Sequence, residues 1–149
     1  MKYYLLLFIL LCKLNACYIP SEGASDSKYF KATNYEAEVN GKFEKVKLAK
    51  KPSPVGDDLD FLRAIYKEIS YPLEARSFGV QGSVYIRVVL DEEGKLLESE
   101  VSQSLGYGCD EEALTAVNRA FSVTAFHPGI YKGKPVKVRF EIPVKFKFI

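Results

Sequence analysis

From Val136 to Phe148 the chain alternates apolar and polar positions almost without a break. Val136, Val138, Phe140, Ile142, Val144, Phe146 and Phe148 fall on one side of an extended backbone. Lys137, Arg139, Glu141, Lys145 and Lys147 fall on the other, which predicts a strand with one face in a core and one in water. Pro143 has no N–H to give a neighbour, so this strand is expected at a sheet edge. The same two-residue period runs through Ser83–Leu90 and Leu96–Gln103 on either side of the turn Asp91–Lys95, predicting an antiparallel pair. Tyr35–Val39 and Lys42–Leu48 flank Asn40-Gly41, a pair suited to the positive φ angles of a type I′ turn; this hairpin is expected to pack on the main domain or to be mobile.

Between these strands the period changes to that of a helix. After the breaker Lys50-Lys-Pro-Ser-Pro54, Asp57 or Asp58 can cap a helix whose apolar face is Leu59, Leu62, Ile65, Tyr66 and Ile69. Pro72 suits the first turn of a short helix, Leu73–Phe78, that Gly79 stops. Asp110 is expected to cap a third helix with Ala113, Leu114, Val117, Ala120 and Phe121 inside. The order helix, helix, strand, strand, helix, strand predicts an α+β fold. Its core would be a small antiparallel three-stranded sheet with helices packed on one face, preceded by an N-terminal β-hairpin.

Composition fits one globular domain: 149 residues, 48% hydrophobic and 27% charged. Lys2 precedes an apolar run ending near Cys12 that is too short to span a bilayer, which takes about 20 residues, so residues 1–16 read as a secretory signal peptide. Leu14-Asn15-Ala16-Cys17 resembles the lipobox of bacterial lipoproteins, which makes Cys17 the expected lipidation site, with plain cleavage near Ala16 as the alternative. Residues 17–34 then form a tether, 35–54 the hairpin extension with its Pro linker, and 55–149 the main domain. The expected location is the periplasm, with the lipid holding the protein to the inner or the outer membrane. Removing Lys2 and Lys13 with the signal leaves basic and acidic residues in balance, so nothing calls for a nucleic-acid partner. Cys12 would leave with the signal and Cys17 would be acylated or sit in the tether, so Cys109 has no obvious disulfide partner.

Candidate chemistry is thin. Cys109, His127 and Asp110 are the starting point for a catalytic site, but the single histidine lies in a Pro-Gly loop and no third group orients it, so an enzyme is not expected. One histidine and one unpaired cysteine do not make a metal site, and no cofactor is expected. Gly79-Val-Gln-Gly82 leads from a helix into a strand, unlike the clamp loop of KH domains, and Gly129–Lys134 lacks the phosphate-loop pattern.

A series of short motifs carries more. Tyr71-Pro72, Ala75-Arg76, Gly79-Val-Gln-Gly82, Val84-Tyr-Ile-Arg-Val88, Asp91-Glu-Glu-Gly94, Ser102-Gln-Ser104, Cys109-Asp-Glu-Glu-Ala-Leu114, Phe126-His-Pro-Gly129, Gly133-Lys-Pro-Val136 and Pro143-Val-Lys-Phe146 follow one another in order. Together they resemble the C-terminal domain of TonB proteins in the form common in Bacteroidota, from about Val55 onward. The resemblance implies a last strand that accepts a peptide segment of outer-membrane TonB-dependent receptors by β-strand addition, a way of using an otherwise bare edge. On that basis Val136, Lys137, Val138, Arg139, Phe140, Glu141 and Ile142 are the candidate partner-strand residues, with Glu68, Ser70 and Tyr71 beside them. Lys137, Arg139, Lys145 and Lys147 suit acidic partners and equally suit edge protection. A complete TonB also has an uncleaved transmembrane helix and a long Pro-rich spacer, which this sequence does not show, so energy transduction by this polypeptide alone is not expected. The alternative is an envelope scaffold that uses the fold for other protein contacts or for self-association as a homodimer.

Overall fold

The computed structural model describes residues 30–148; the signal peptide, Cys17 and most of the tether lie outside them. Strands β1 (Thr33–Val39) and β2 (Lys42–Glu44) are followed by the short β3 (Ser53–Pro54) and by helices α1 (Asp58–Glu68) and α2 (Leu73–Ser77). Then come β4 (Gly82–Leu90), β5 (Leu96–Gln103), α3 (Cys109–Val123), the short strands β6 (Phe126–His127), β7 (Gly129–Tyr131) and β8 (Lys134–Val136), and finally β9 (Val138–Phe146).

The main sheet has five antiparallel strands in the order β2-β1-β9-β4-β5, not the three expected. The early hairpin forms as its Asn-Gly turn dictates, with Asn40 and Gly41 at φ of 53° and 78°. It does not sit apart from the domain but adds two strands to the sheet. Consequently β9 is the middle strand, with β4 on one side and β1 on the other. The proline argument still holds locally. Glu38 N–H donates to the Lys137 carbonyl (2.9 Å) and Lys145 N–H to Tyr66 Oη (3.1 Å), so the odd-numbered residues of β9 turn their backbone groups away from β4. The N–H that Pro143 lacks would therefore point outward, and β1 reaches no further along β9 than Glu141.

The core lies between the inner face of the sheet and the helices. Val138, Phe140, Ile142, Val144 and Phe146 of β9 meet Val84, Ile86, Val88 and Leu90 of β4, all buried. Helix α3 contributes Cys109, Ala113, Ala116, Val117 and Ala120. Asp57 caps α1 as expected, its carboxylate accepting from Leu59 N–H at 2.9 Å. The buried face of α1 is rotated from the expected one: Phe61 and Ile65 are inside and Tyr66 is exposed, because Phe61 enters a cluster of rings with Phe30, Phe121, Phe126 and Phe140. Phe30 comes from the segment read as tether, yet it is 5% exposed and meets three of those rings edge-on. Asp110 does not cap α3. Gly108 holds the cap position at φ 81°, and the Asp110 carboxylate instead accepts from Leu105 N–H (2.8 Å), Gly106 N–H and Ser104 Oγ, pinning the loop before the helix. Burial opposes ionisation there, but these donors outweigh it and hold Asp110 below the usual carboxylate range.

Candidate functional site

The seven consecutive candidates Val136–Ile142 do not form one uniform edge. Val136 belongs to β8 and pairs with Gly129 in a separate small hairpin. Val138, Phe140 and Ile142 point into the core. Lys137, Arg139 and Glu141 face the opposite, solvent side of the sheet, and their outward backbone flank is filled by β1 in the register Ala37 to Val138 and Glu36 to Arg139. An open flank at these positions, as the sequence implied, is therefore not what the structure has.

Side chains reinforce the β1–β9 contact. Arg139 Nε donates to Glu36 Oε2 at 2.8 Å and its Nη2 reaches the same oxygen, while the guanidinium lies 4.5 Å from the centre of the Phe43 ring on β2. Lys137 Nζ is 2.8 Å from Glu38 Oε2, and that bond holds the ammonium above the usual lysine range. Asn34 Nδ2 donates to Glu141, which also accepts from Arg87 (3.2 Å); Arg87 in turn binds Glu100 at 2.9 Å. Charges of alternating sign thus cross β9, β4 and β5, and the neutral Asn34 amide extends the series to β1. Burial alone would raise Glu141, yet its donors Asn34, Ser102 and Arg87 bring it below the usual carboxylate range. On the inner face Tyr35 stacks on Phe140 at 5.3 Å and Ala37 is fully buried. The pairing is regular from Glu36 to Glu38 and slips between Thr33 and Glu36, where Asn34 takes φ 52°.

Glu68, Ser70 and Tyr71 belong to the α1–α2 region, apart from the stretch of β9 that β1 covers. Glu68 binds Arg119 at 2.7 Å, and Ser70 N–H donates to Glu112 at 3.1 Å. Tyr71 stacks on Phe148 at 4.7 Å, packs edge-on to Phe146 and donates its hydroxyl to the Val80 carbonyl; burial raises its pKa. These contacts make Tyr71 a part of the fold around the distal end of β9. Cys109 is buried and its thiol pushed up, first by burial and then by Asp110, Glu111 and Glu112, which argues against an activated nucleophile.

The residues that sequence reasoning missed are Asn34, Glu36, Glu38 and Phe43. Their signal was available: Tyr35-Glu-Ala-Glu38 alternates apolar with acidic just as Lys137-Val-Arg-Phe140 alternates basic with apolar.

Residues 67–148 match the family described as Gram-negative bacterial TonB protein C-terminal. A curated relative, Protein TonB of Vibrio cholerae serotype O1, is 35% identical over 78 residues, which is 52% of this chain and 30% of the relative's own length. The solution structure of the Helicobacter pylori TonB-CTD aligns with 61% of this chain and 79% of its own at 20% identity and a TM-score of 0.47. The matched residues contain β4, β5, α3 and β9; β1 and β2 lie outside them. The chain belongs to the TonB C-terminal family.

Proposed function

We propose that this protein is a TonB-like binding module of the cell envelope, linked to transmembrane transport, that takes up an extended segment of an outer-membrane receptor as an added strand on the outer flank of β9. One observation carries the reading. The flank of β9 is supplied by the family-matched residues, while the strand that fills it comes from outside them. Within the shared part of the fold β9 has β4 on one side only, and β1 illustrates how an antiparallel strand with acidic side chains fits the other. Lipidation at Cys17 would hold the module in the periplasm against the inner or the outer membrane; labelled fatty acid incorporated by the unmodified chain and not by Cys17→Ala tests that part.

The scaffold reading draws on the same contact. A sheet already completed by β1 and β2 has no need of a receptor strand, and its partners would meet other surfaces. Affinity capture from detergent-solubilised envelope with the full chain separates the two. Recovery of outer-membrane receptors is the expected result; their absence alongside another stable partner favours the scaffold.

A further inference from the structure

We propose that β1 is an internal occupant of the β9 flank whose chemistry defines the external ligand: an extended acidic segment with carboxylates on alternate positions and small or aromatic side chains between them, bound by exchange with the hairpin. This rests on the reading of the β9 flank as the partner's seat. The specification follows from the contacts. Two bases one residue apart, Lys137 and Arg139, are each paired with an acid of β1, Glu38 and Glu36, on the solvent face. On the core face the same strand offers an aromatic ring to Phe140 and a methyl group at the fully buried Ala37. A ligand lacking the acids would leave two half-buried cations unpaired, which is costly. A bulky residue in place of Ala37 would not fit the packed core.

The hairpin is built to lift as a loop with both ends held. On one side Phe30 is locked among Phe61, Phe126 and Phe140. On the other, Lys50 and Ile130 exchange backbone bonds of 2.8 and 3.3 Å, and Ala49 N–H adds a third to Ile130 at 2.7 Å. Between these anchors the pairing with β9 is short, and it is irregular at the Asn34 end. A tethered strand competes at high effective concentration, so an external segment must either match it or arrive when it is open.

The probe is a labelled peptide of the chain's own residues 33–39, added to the full protein. In Glu36→Lys/Glu38→Lys, whose hairpin faces Lys137 and Arg139 with like charges, the peptide should bind at least about tenfold more tightly than to the unmodified chain, because the competing strand is weakened. A peptide with both glutamates replaced by lysine should not bind. In Ala37→Cys/Val138→Cys, the opposed non-hydrogen-bonded pair should close a disulfide, binding should vanish, and reduction should restore it. Equal binding by the open and crosslinked forms, or by the acidic and lysine peptides, overturns the proposal. Hydrogen exchange on the unmodified protein decides independently of any variant's folding. The Glu38 amide should exchange much faster than that of Val88 on the β4–β9 seam, and equal rates overturn exchange by local opening. If the peptide binds the opened variant but envelope capture yields no receptor, strand exchange stands and the transport reading falls. If receptors are captured equally well with the hairpin crosslinked, the reverse holds.

Discussion

Replacing Phe30 with alanine separates what anchors the hairpin from what opens it. The side chain is 5% exposed and meets Phe61, Phe126 and Phe140 edge-on with ring centres 5.5, 5.8 and 6.2 Å away. Truncating a buried phenylalanine costs about 3–5 kcal/mol in general. The surrounding side chains can partly close the gap, so about 3 kcal/mol is expected. With a urea slope of about 1.5 kcal/mol per molar, the unfolding midpoint should fall by about 2 M. Amides that exchange only on global unfolding, such as that of Val88, should then speed up by about 10²-fold, at 1.4 kcal/mol per factor of ten. The Glu38 amide should hardly respond, because Phe30 stays docked while the hairpin lifts and so contributes equally to the closed and opened states. If Glu38 accelerates by the same factor as Val88, Phe30 leaves with the hairpin and the two-anchor picture is wrong. If the midpoint does not move, Phe30 is not in the core at all.

Three further measurements follow from the same contacts. A double-mutant cycle on Glu36 and Arg139, each changed to alanine, should give a coupling near 1 kcal/mol by chemical denaturation, the upper end for exposed pairs because both side chains are two-thirds or more covered. Gly94→Ala should destabilise by more than about 2 kcal/mol, since an added Cβ at φ +82° would lie 2.1 Å from the Phe126 carbonyl oxygen; Gly133→Ala, at φ +77° with nothing within 4 Å, should cost only the left-handed penalty of about 1 kcal/mol. Glu141 titrates below its unfolded value, so its contribution is complete above the ordinary glutamate range near 4.3 and is lost as pH falls through the depressed folded pKa. Urea midpoints at about pH 5 and pH 3 should converge between the unmodified chain and Glu141→Gln as the pH is lowered.

The local elements could be read from the chain because each is fixed by neighbours in sequence. The bounds of β5, the turn at Asn40-Gly41 and the Asp57 cap follow from period, backbone preference and a hydrogen bond two residues long. The placement of the hairpin did not follow, because it depends on partners about a hundred residues apart: Arg139 with Glu36 and Asn34 with Glu141. Lys137 and Arg139 looked like bases awaiting an outside acid or guarding an edge, and nothing local distinguishes those roles from pairing with an acid near the N-terminal end. Phe30 was hidden for a related reason. The aromatic pair Tyr29-Phe30 in a polar stretch has no periodic companions, and only the three-dimensional cluster gives Phe30 a site. Pro143 misled: its missing N–H predicted an edge strand, yet β9 is central. One residue reports only its own position, and the stretch of β9 up to Glu141 was free to pair with β1.

The central position of β9 also bears on the order in which the protein can be assembled. A chain emerging from its N-terminal end presents β1 with β2, and later β4 with β5, before the strand that joins the two pairs exists. Each pair is a two-stranded ribbon of the kind that is marginal in water, so neither half can settle early. Closure waits on contacts between distant stretches of chain, which is the slow kind of folding, and the polypeptide stays pliable until its last described strand has been made.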